Sequence, residues 1–492
     1  MTDYADNSAG DGLYEKPKDT GGTDYVQRWL EAIQAASDEE KDWRGHASDA
    51  ICVYTSDDAQ KPGTAFNLFH ANVETVVPAL YNSTPIPDVR KRYGDRDPVA
   101  KNGADAIERV LSYLIDEYDF DAVIEASVLH YALTGRGIAR VHYNAGQTED
   151  GMDVGVQTVT CRTVPWEAFR RGPAQCWEDV PWIAFRHYLT REDLEDLVGP
   201  AKAKDVPLNA RSDASNDTGG DVEKSIYRRA QIWEIWEKRK REVIFLCDDY
   251  KDGPLLRMDD PLGLKDFFPV AKPLYKPRGD DTCVPLCPYQ IQRPLLEEID
   301  GVAKRIRNLI KQLRPRALGP GNIDIDALAA ADDGQIVAVA DIAAFLDSGG
   351  MDKLLAWFPM EPTVKAIQTL YEHRQIVKQD LFEVSGLADI MRGQSDARET
   401  KGAQQIKAQW GSLRIQRDQQ DVQRFIRDTL RIKAELVSEK FTPENIGAMT
   451  GMELMPQAVM VLKDQKARDY AIDIETDSTV RGDLTRNMEQ MA

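Results

Sequence analysis

The hydrophobic pattern is most regular in the C-terminal part of the chain. From Ala403 onward, apolar residues recur mostly three or four positions apart, with Gln, Asp, Arg and Lys between them. This spacing predicts an amphipathic helix over 403–441, roughly 55–60 Å long at about 1.5 Å per residue. Thr442-Pro443 ends it, because the residue before a proline disfavours helical angles. The apolar positions are Ile406, Trp410, Leu413, Val422, Phe425, Ile426, Leu430, Leu436, Val437 and Phe441.

A second regular pattern runs from Pro294 to Leu313. Six apolar residues are spaced 4, 3, 4, 3 and 4 apart, which predicts a helix that packs against a neighbouring helix. The residues of this seam are Leu295, Ile299, Val302, Ile306, Leu309 and Leu313. The other face carries the cations Lys304, Arg305, Arg307, Lys311 and Arg314.

A short β-containing segment and a second helix follow that seam. The apolar run Gln335–Ala340 has the composition of a strand, and the helix is predicted from Thr363 to Val384. The apolar positions of this helix include Val364, Ile367 and Tyr371. The order is therefore helix, small β-containing tip, helix.

The N-terminal part predicts a mixed α/β region after a polar tail at 1–23. A helix begins at Asp24, and alternating apolar residues predict strands from Gly151 to Thr190. Ile226–Tyr250 predicts a hairpin that turns at Lys238–Arg241. Near the C-terminus, Tyr470–Thr479 alternates like a strand.

Composition narrows the class of protein. Hydrophobic content of 42% and charged content of 29% are typical of a soluble globular chain. There is no run of about 18 apolar residues, and the first residues lack the features of a signal peptide. We therefore expect a protein that is neither secreted nor inserted in a membrane. The six cysteines are scattered, which indicates reduced thiols rather than disulfides or a zinc site.

Three stretches resemble chemical motifs but lack their essential features. Gly135–Gly137 follows a helix and precedes a strand, the reverse of a phosphate-binding loop. Asn322–Leu328 lacks the glycine of a calcium loop. Glu297, Glu298 and Asp300 lie near a predicted helix N-terminus, where the dipole favours acidic residues. We expect no catalytic residues, no cofactor and no metal.

The net charge of −20 argues against a protein that grips nucleic acid, because phosphate binding relies on Lys and Arg. It does not argue against a protein that lets DNA slide past, since an acidic wall repels the phosphate backbone. Solubility alone explains the acidity equally well. Charge therefore does not separate these alternatives.

The stretch V-S-G-L-A-D-I-M-R-G-Q-S-D-A-R-E-T-K-G, which begins at Val384, and the helix after it resemble the corresponding part of tailed-bacteriophage portal proteins. These are the ring-shaped head-to-tail connectors of the capsid. The helix, tip, helix order is similar to the stem, clip, stem order of that family. The resemblance implies that the loop faces DNA in an axial channel. The residues it places there are Asp389, Arg392, Gln394, Ser395, Arg398 and Lys401.

The resemblance implies an α+β subunit of portal type, divided along the chain. The expected parts are a mobile tail at 1–23, a mixed α/β wing at 24–290, stem helices at 291–314 and 362–385 around a clip at 315–361, a tunnel loop at 386–402, a long wing helix at 403–441, and the start of a crown at 442–492. The stem residues Leu295, Ile299, Val302, Ile306, Leu309, Leu313, Val364, Ile367 and Tyr371 are expected at the stem and the subunit interface. We also expect the natural chain to continue past Ala492.

The implied function is a structural channel, not an enzyme. Subunits would form a dodecameric ring at the capsid vertex, assembled in the host bacterial cytoplasm, through which double-stranded DNA enters and leaves. The implied partners are the terminase motor, tail adaptor proteins, and the major capsid and scaffolding proteins. Two alternatives stay open: a nucleic-acid-processing enzyme of the packaging apparatus, and a head-to-tail adaptor that is not a channel.

Overall fold

A computed structural model describes residues 22–57, 66–91, 98–147, 153–210, 228–250, 252–276, 282–313, 317–318, 356–357, 360–386, 401–451 and 470–474. The chain divides into two compact units. Unit 1 comprises Met1–Ile51, Asn72–Gln290 and Gln405–Ala492, and unit 2 comprises Cys52–Ala71 and Ile291–Gln404. Helices and small antiparallel sheets occur together, which confirms the α+β class.

The helices are α1 (Thr23–Glu39), α2 (Lys41–Thr55), α3 (Leu68–Leu80), α4 (Pro98–Asp116), α5 (Phe120–Thr134), α6 (Arg191–Val198), α7 (Pro200–Asp205), α8 (Pro288–Gln312), α9 (Glu361–Ser385), α10 (Lys401–Lys440) and α11 (Pro443–Thr450). The strands are β1 (Pro87–Lys91), β2 (Arg136–Gly137), β3 (Ala139–Gln147), β4 (Asp153–Thr163), β5 (Phe169–Arg171), β6 (Trp182–Leu189), β7 (Ala230–Glu237), β8 (Glu242–Cys247), β9 (Leu256–Asp259), β10 (Leu274–Tyr275), β11 (Ala317–Leu318), β12 (Ala356–Trp357) and β13 (Tyr470–Ile474). No helix of the described residues is both long and apolar enough to span a membrane.

The largest sheet lies in unit 1 and joins five strands in the order β5-β6-β7-β8-β9, all antiparallel. The predicted hairpin is present as β7 and β8. Its turn is closed by Arg241, which has a φ of 54°.

Alternation along the strands gives this sheet two buried faces. On β7, Ile232 and Trp236 enter one apolar cluster, whereas Trp233 and Ile235 enter the other. The second cluster is completed by α1, whose residues Tyr25, Val26, Trp29, Ile33 and Ala36 are all buried. The tryptophans of this sheet are therefore core residues.

The long helix α10 is a core element of unit 1 over its C-terminal half. Its predicted apolar positions from Val422 to Phe441 are buried. Arg424 donates hydrogen bonds to the carbonyl oxygens of Lys272 and Pro273, at 3.1 and 3.3 Å. This part of the prediction is confirmed.

Two further strand pairs lie in unit 1, one between consecutive strands and one between distant parts of the chain. β3 and β4 form an antiparallel pair with an irregularity between Asn144 and Gly146. β1 pairs antiparallel with β13, so that Val89 lies opposite Ile472. The predicted strand at Tyr470 is confirmed as far as Ile474, and its partner lies almost 400 residues earlier in the chain.

Two predicted helix boundaries need correction. The helix α8 begins at Pro288 and not at Pro294, which lies inside it. Burial of Tyr289, in the first turn, stabilises the residues before the proline despite one lost backbone hydrogen bond. α10 begins at Lys401, so Lys401 and Gly402 are helical and not part of the loop. Gly402 lies in the first turn of this 40-residue helix, and a single glycine costs at most about 1 kcal/mol relative to alanine.

Several predictions concern residues outside the described ranges. These include nearly all of the tail at 1–23 and the loop at 387–400. In the segment predicted as a clip, 315–361, the described pieces include β11 and β12, which pair antiparallel through Ala317–Trp357 and Leu318–Ala356. In the segment predicted as the start of a crown, Pro443–Thr450 is a helix.

Candidate functional site

The helices α8 and α9 of unit 2 carry the residues predicted to form the subunit interface. On α8, Ile299, Val302 and Ile306 are buried within the single chain. Leu295, Leu309 and Leu313 are half-buried. The seam is therefore largely covered by the protein's own residues. Leu296, which the spacing pattern omitted, is fully buried.

On α9 the predicted residues differ in exposure. Ile367 is buried, whereas Val364 is 40% exposed and Tyr371 is 43% exposed. Met360, Val364 and Tyr371 are spaced four and seven residues apart, so they lie along one side of the helix. Ile376 and Val384, eight residues apart, lie along another side and are 55% and 44% exposed. The single chain leaves apolar surface open on more than one side of α9.

Exposed apolar residues are concentrated in unit 2. Of the ten large hydrophobic side chains that are exposed among the described residues, eight belong to this smaller unit. They are Phe66, Ile291, Ile310, Met360, Val364, Tyr371, Ile376 and Val384. The other two, Ile86 and Val156, are in unit 1. Exposed apolar side chains concentrated in one part of a chain indicate a candidate interaction surface.

Cationic side chains partly cover the aromatic rings of unit 2. The Arg374 guanidinium lies 5.4 Å from the Phe66 ring centroid and 4.8 Å from that of Tyr371. The Lys378 ammonium lies 5.8 Å from the Phe66 ring and 5.9 Å from the Phe382 ring. These contacts orient the rings and leave the aliphatic residues of α9 uncovered.

The exposed face of α8 is cationic in its C-terminal half. Lys304, Arg305, Arg307 and Lys311 are all exposed, and none of them has an ion-pair partner among the described residues. The nearest acidic residue along the helix, Asp300, is buried. The two before it are paired elsewhere: Glu297 with Arg293 at 2.8 Å, and Glu298 with His373 at 2.9 Å.

The predicted channel residues Asp389, Arg392, Gln394, Ser395 and Arg398 lie outside the described residues. For Lys401, the sixth of the set, the structure describes the helical backbone only. Their role in a channel stays a prediction.

In unit 1, the buried carboxylate Glu40 lies within a cluster of guanidinium groups. It is 2.6 Å from Arg136, 2.6 Å from Arg44 and 3.6 Å from Arg171. Burial raises the pKa of Glu40, but the charge and hydrogen bonds of Arg136 and the charges of Arg44 and Arg171 outweigh it and bring the pKa to about 2. Arg136 also lies over the Trp43 ring at 4.2 Å. The carboxylate is saturated and closed to solvent, so it stabilises the fold and offers no general base.

A second buried carboxylate, Glu234, is also fully used. It accepts two hydrogen bonds from Arg140, at 2.7 and 2.6 Å, and one from the Trp236 indole N–H at 2.7 Å. His187 Nε2 is 2.8 Å away. Burial raises the pKa of Glu234, but Arg140 and His187 lower it well below its usual range. Neighbouring His142 has its pKa lowered to about 4 by burial and by the charge of Arg140.

Lys433 of α10 is a buried cation that the sequence pattern did not indicate. Its side chain is 0% exposed, and Nζ has no hydrogen-bond partner among the residues that the structure describes. The ammonium lies 4.3 Å from the Phe120 ring centroid. Burial lowers the pKa of Lys433 to about 8, only slightly countered by the Cys161 thiol.

Cysteines and metal-ligating residues form no further site among the described residues. All six cysteines are free, as the scattered positions predicted. Within the described part of the chain, no group of three or more His, Cys, Asp or Glu side chains has the geometry to hold a metal ion.

Comparison with known proteins adds no assignment: no family model matches this chain, and no curated protein matches it.

Proposed function

We propose that this chain is the subunit of a portal-type ring at a phage capsid vertex, through which double-stranded DNA is packaged and ejected. In this proposal the ring docks the terminase motor first and tail adaptor proteins later. The single observation that carries it is the open apolar surface of unit 2, on the two helices that the resemblance assigns to the stem.

Apolar side chains left in water cost free energy that association can recover. Burying one Val, Leu, Ile or Met side chain contributes roughly 1.5–3 kcal/mol. Covering several of the eight exposed residues supplies enough free energy to drive association. A second copy of the chain is the partner that a ring requires.

The two exposed sides of α9 favour a ring over a twofold dimer. In a twofold interface the same patch meets itself, so one side is enough. In a closed ring one face of each subunit meets a different face of the next. The Met360, Val364 and Tyr371 side and the Ile376 and Val384 side provide two such faces.

The first experiment is the mass of the purified chain by light scattering, followed by negative-stain images. We expect a ring of roughly a dozen 55.3 kDa chains with a central hole. A compact small oligomer that hydrolyses nucleotide would instead favour an enzyme of the packaging apparatus. A small oligomer without hydrolysis and without a hole would favour an adaptor.

The loop residues give a test of the channel itself. Arg392→Glu combined with Arg398→Glu places acidic side chains where the resemblance puts DNA. We expect intact rings by light scattering and reduced DNA packaging or retention. Unchanged packaging by intact rings would remove these residues from the channel assignment.

A further inference from the structure

The C-terminal half of α8 is locally basic in a strongly acidic chain. From Gly301 to Leu318 the sequence contains no Asp or Glu, although the whole chain has a net charge of −20. The described cations of this segment are Lys304, Arg305, Arg307 and Lys311, which we call the α8 cationic row. A local excess of one charge in a chain of the opposite sign needs an explanation beyond solubility.

The row has a fixed orientation. Val302 and Ile306 are buried, which turns the opposite face of α8 to solvent. Lys304, Arg307 and Lys311 follow each other at three- and four-residue spacing, so they line one side of the helix over about 10 Å.

The charges of the row are available for a partner. Arg307 makes only a 3.5 Å contact between Nε and the carbonyl oxygen of Ala303, in its own helix. The other three side chains have no hydrogen-bond or ion-pair partner among the described residues. A ligand that pairs with them breaks no existing ion pair.

We propose that the α8 cationic row is a contact surface for the phosphate backbone of double-stranded DNA. This inference deepens the proposed function and rests on it, because it names a helix that touches the DNA in transit. Lys and Arg on successive helical turns, with the exposed amide of Asn308 between them, are the donors that usually contact phosphates.

The composition of the row favours DNA over an acidic protein. Protein interfaces usually need a buried apolar or aromatic anchor at their centre. The exposed apolar residue of this segment, Ile310, is four residues after the buried Ile306 and three after Arg307, so it lies at the edge of the row and not at its centre. The row itself presents cations and an amide.

The expected contact is weak and independent of sequence. Neutralising about four phosphates makes the logarithm of the binding constant fall with the logarithm of salt concentration with a slope near −4. Each doubling of salt then weakens binding about tenfold. The surrounding acidic surface limits the attraction, so DNA is guided without being held.

The test compares DNA binding by two variants of the full chain with equal net charge. The first carries K304Q, R305Q, R307Q and K311Q. The matched control, K41Q, K101Q, K204Q and R239Q, removes four exposed cations that are scattered over unit 1. Binding of a labelled 30-base-pair duplex is followed by fluorescence anisotropy over a series of salt concentrations.

We expect the control to bind like the wild type. The row variant should bind at least tenfold more weakly at low salt, with a salt slope reduced by about three to four. A third variant, R305K with R307K, keeps the charges and should bind nearly as well as the wild type, because Lys also contacts phosphate as a point charge.

Equal binding by the row variant and the wild type would overturn the inference. So would equal weakening by the row variant and the control, because net charge alone would then explain the effect. Light scattering of the same samples separates this inference from the proposed function. Intact rings with unchanged DNA binding refute only the row, whereas row-dependent binding without rings refutes only the ring.

A further outcome identifies a different partner. If the row variant no longer assembles but binds DNA as well as the control does, the row pairs with an acidic surface of a second copy. That result would overturn the DNA assignment. Thermal unfolding of each variant verifies folding, and Gln preserves the helix propensity of Lys and Arg.

Discussion

Unit 1 and unit 2 treat charged and apolar side chains in opposite ways. In unit 1 the carboxylates of Glu40 and Glu234 are buried and surrounded by guanidinium groups. In unit 2 the cations of the α8 cationic row are exposed and unpaired within the described residues, and apolar residues of α9 face solvent. These unit 1 clusters pair their charges internally, whereas these surfaces of unit 2 are left for other molecules to cover.

This difference separates positions that set stability from positions that set association. A change in a saturated buried cluster of unit 1 should lower the free energy of unfolding. A change on the open surface of unit 2 should leave unfolding almost unaltered and alter binding. Substitutions in the two units test that separation, from the largest expected effect to the smallest.

The largest effect on stability is expected for Glu40→Ala. Removing the carboxylate leaves the buried guanidinium groups of Arg136 and Arg44 without their counter-charge, which costs about 3–5 kcal/mol in comparable buried pairs. Chemical denaturation measures it. The control is Glu39→Ala, because Glu39 is partly exposed beside Arg171 and should cost under about 1 kcal/mol.

The same cluster predicts an acid-sensitive step. The folded pKa of Glu40 is about 2, below its ordinary value of 4.5. Its contribution to stability is therefore present above about pH 4.5 and is lost as pH falls toward 2. The Glu40→Ala variant should lack this part of the pH dependence. Equal acid dependence in the two proteins would show that the cluster does not stabilise the fold.

The second prediction concerns the open side of α9. Val364→Glu with Tyr371→Glu should change unfolding of the isolated chain by less than about 1 kcal/mol, because both side chains are exposed. Association should weaken on the order of a hundredfold, since two apolar contacts are replaced by charges. Light scattering over a dilution series measures the association.

The matched control for the α9 variant is Ile86→Glu with Val156→Glu, which alters the two exposed apolar residues of unit 1. Its mass should equal that of the wild type. If both variants dissociate equally, the added charge and not the α9 surface is responsible, and the main support for the ring is removed.

The third prediction is a gain in stability from Lys433→Met. Burial lowers the pKa of Lys433 from 10.5 to about 8, so the charged form is disfavoured in the folded state by about 3 kcal/mol at pH 7. Methionine fills a similar volume without the charge. Chemical denaturation at pH 7 should show the gain.

The pH dependence of this gain has a definite sign. As pH rises through 8, Lys433 loses its proton in the folded state but keeps it in the unfolded state up to about 10.5. The wild type should therefore gain stability relative to Lys433→Met between pH 8 and 10. A constant difference across that range would mean that burial does not lower the pKa of Lys433.

The same contrast explains which parts of the molecule the sequence predicted. The apolar face of α10 and the hairpin of β7 and β8 follow from local periodicity, which is visible within a few turns or strands. The spacing pattern predicts Leu295 in the α8 seam in place of the more deeply buried Leu296. It also places the start of the helix six residues late, because Pro294 has the sequence signature of a helix start.

Features that depend on distant residues were not predictable. Glu40 meets Arg136 and Arg171, which are 96 and 131 positions away, so no spacing rule joins them. Lys433 lies three residues after Leu430 and four before Val437, on the buried side of α10, but a lysine does not count as an apolar position in such a pattern. On α9 the sequence identified Val364 and Tyr371 as apolar but gave no sign that the chain leaves them open.

The smallest effect is expected for Glu298→Gln in unit 2. Glu298 pairs with His373 at 2.9 Å, a separation close to those in the Glu40 cluster, yet both side chains are nearly half exposed. Water screens such a pair, so its loss should cost less than about 1 kcal/mol in the isolated chain. Chemical denaturation measures it, with Glu297→Gln as the control for the neighbouring exposed pair.

Comparing the cost of this substitution in the isolated chain and in the assembled protein tests what covers unit 2. If neighbouring subunits enclose the pair, the same substitution should cost more in the assembled protein than in the isolated chain, because desolvation strengthens a charge interaction. A cost above about 2 kcal/mol in the isolated chain would contradict the contrast between the units. An equally small cost in both forms would mean that this side of α8 and α9 stays in water after assembly, which leaves the apolar sides of α9 as the interface.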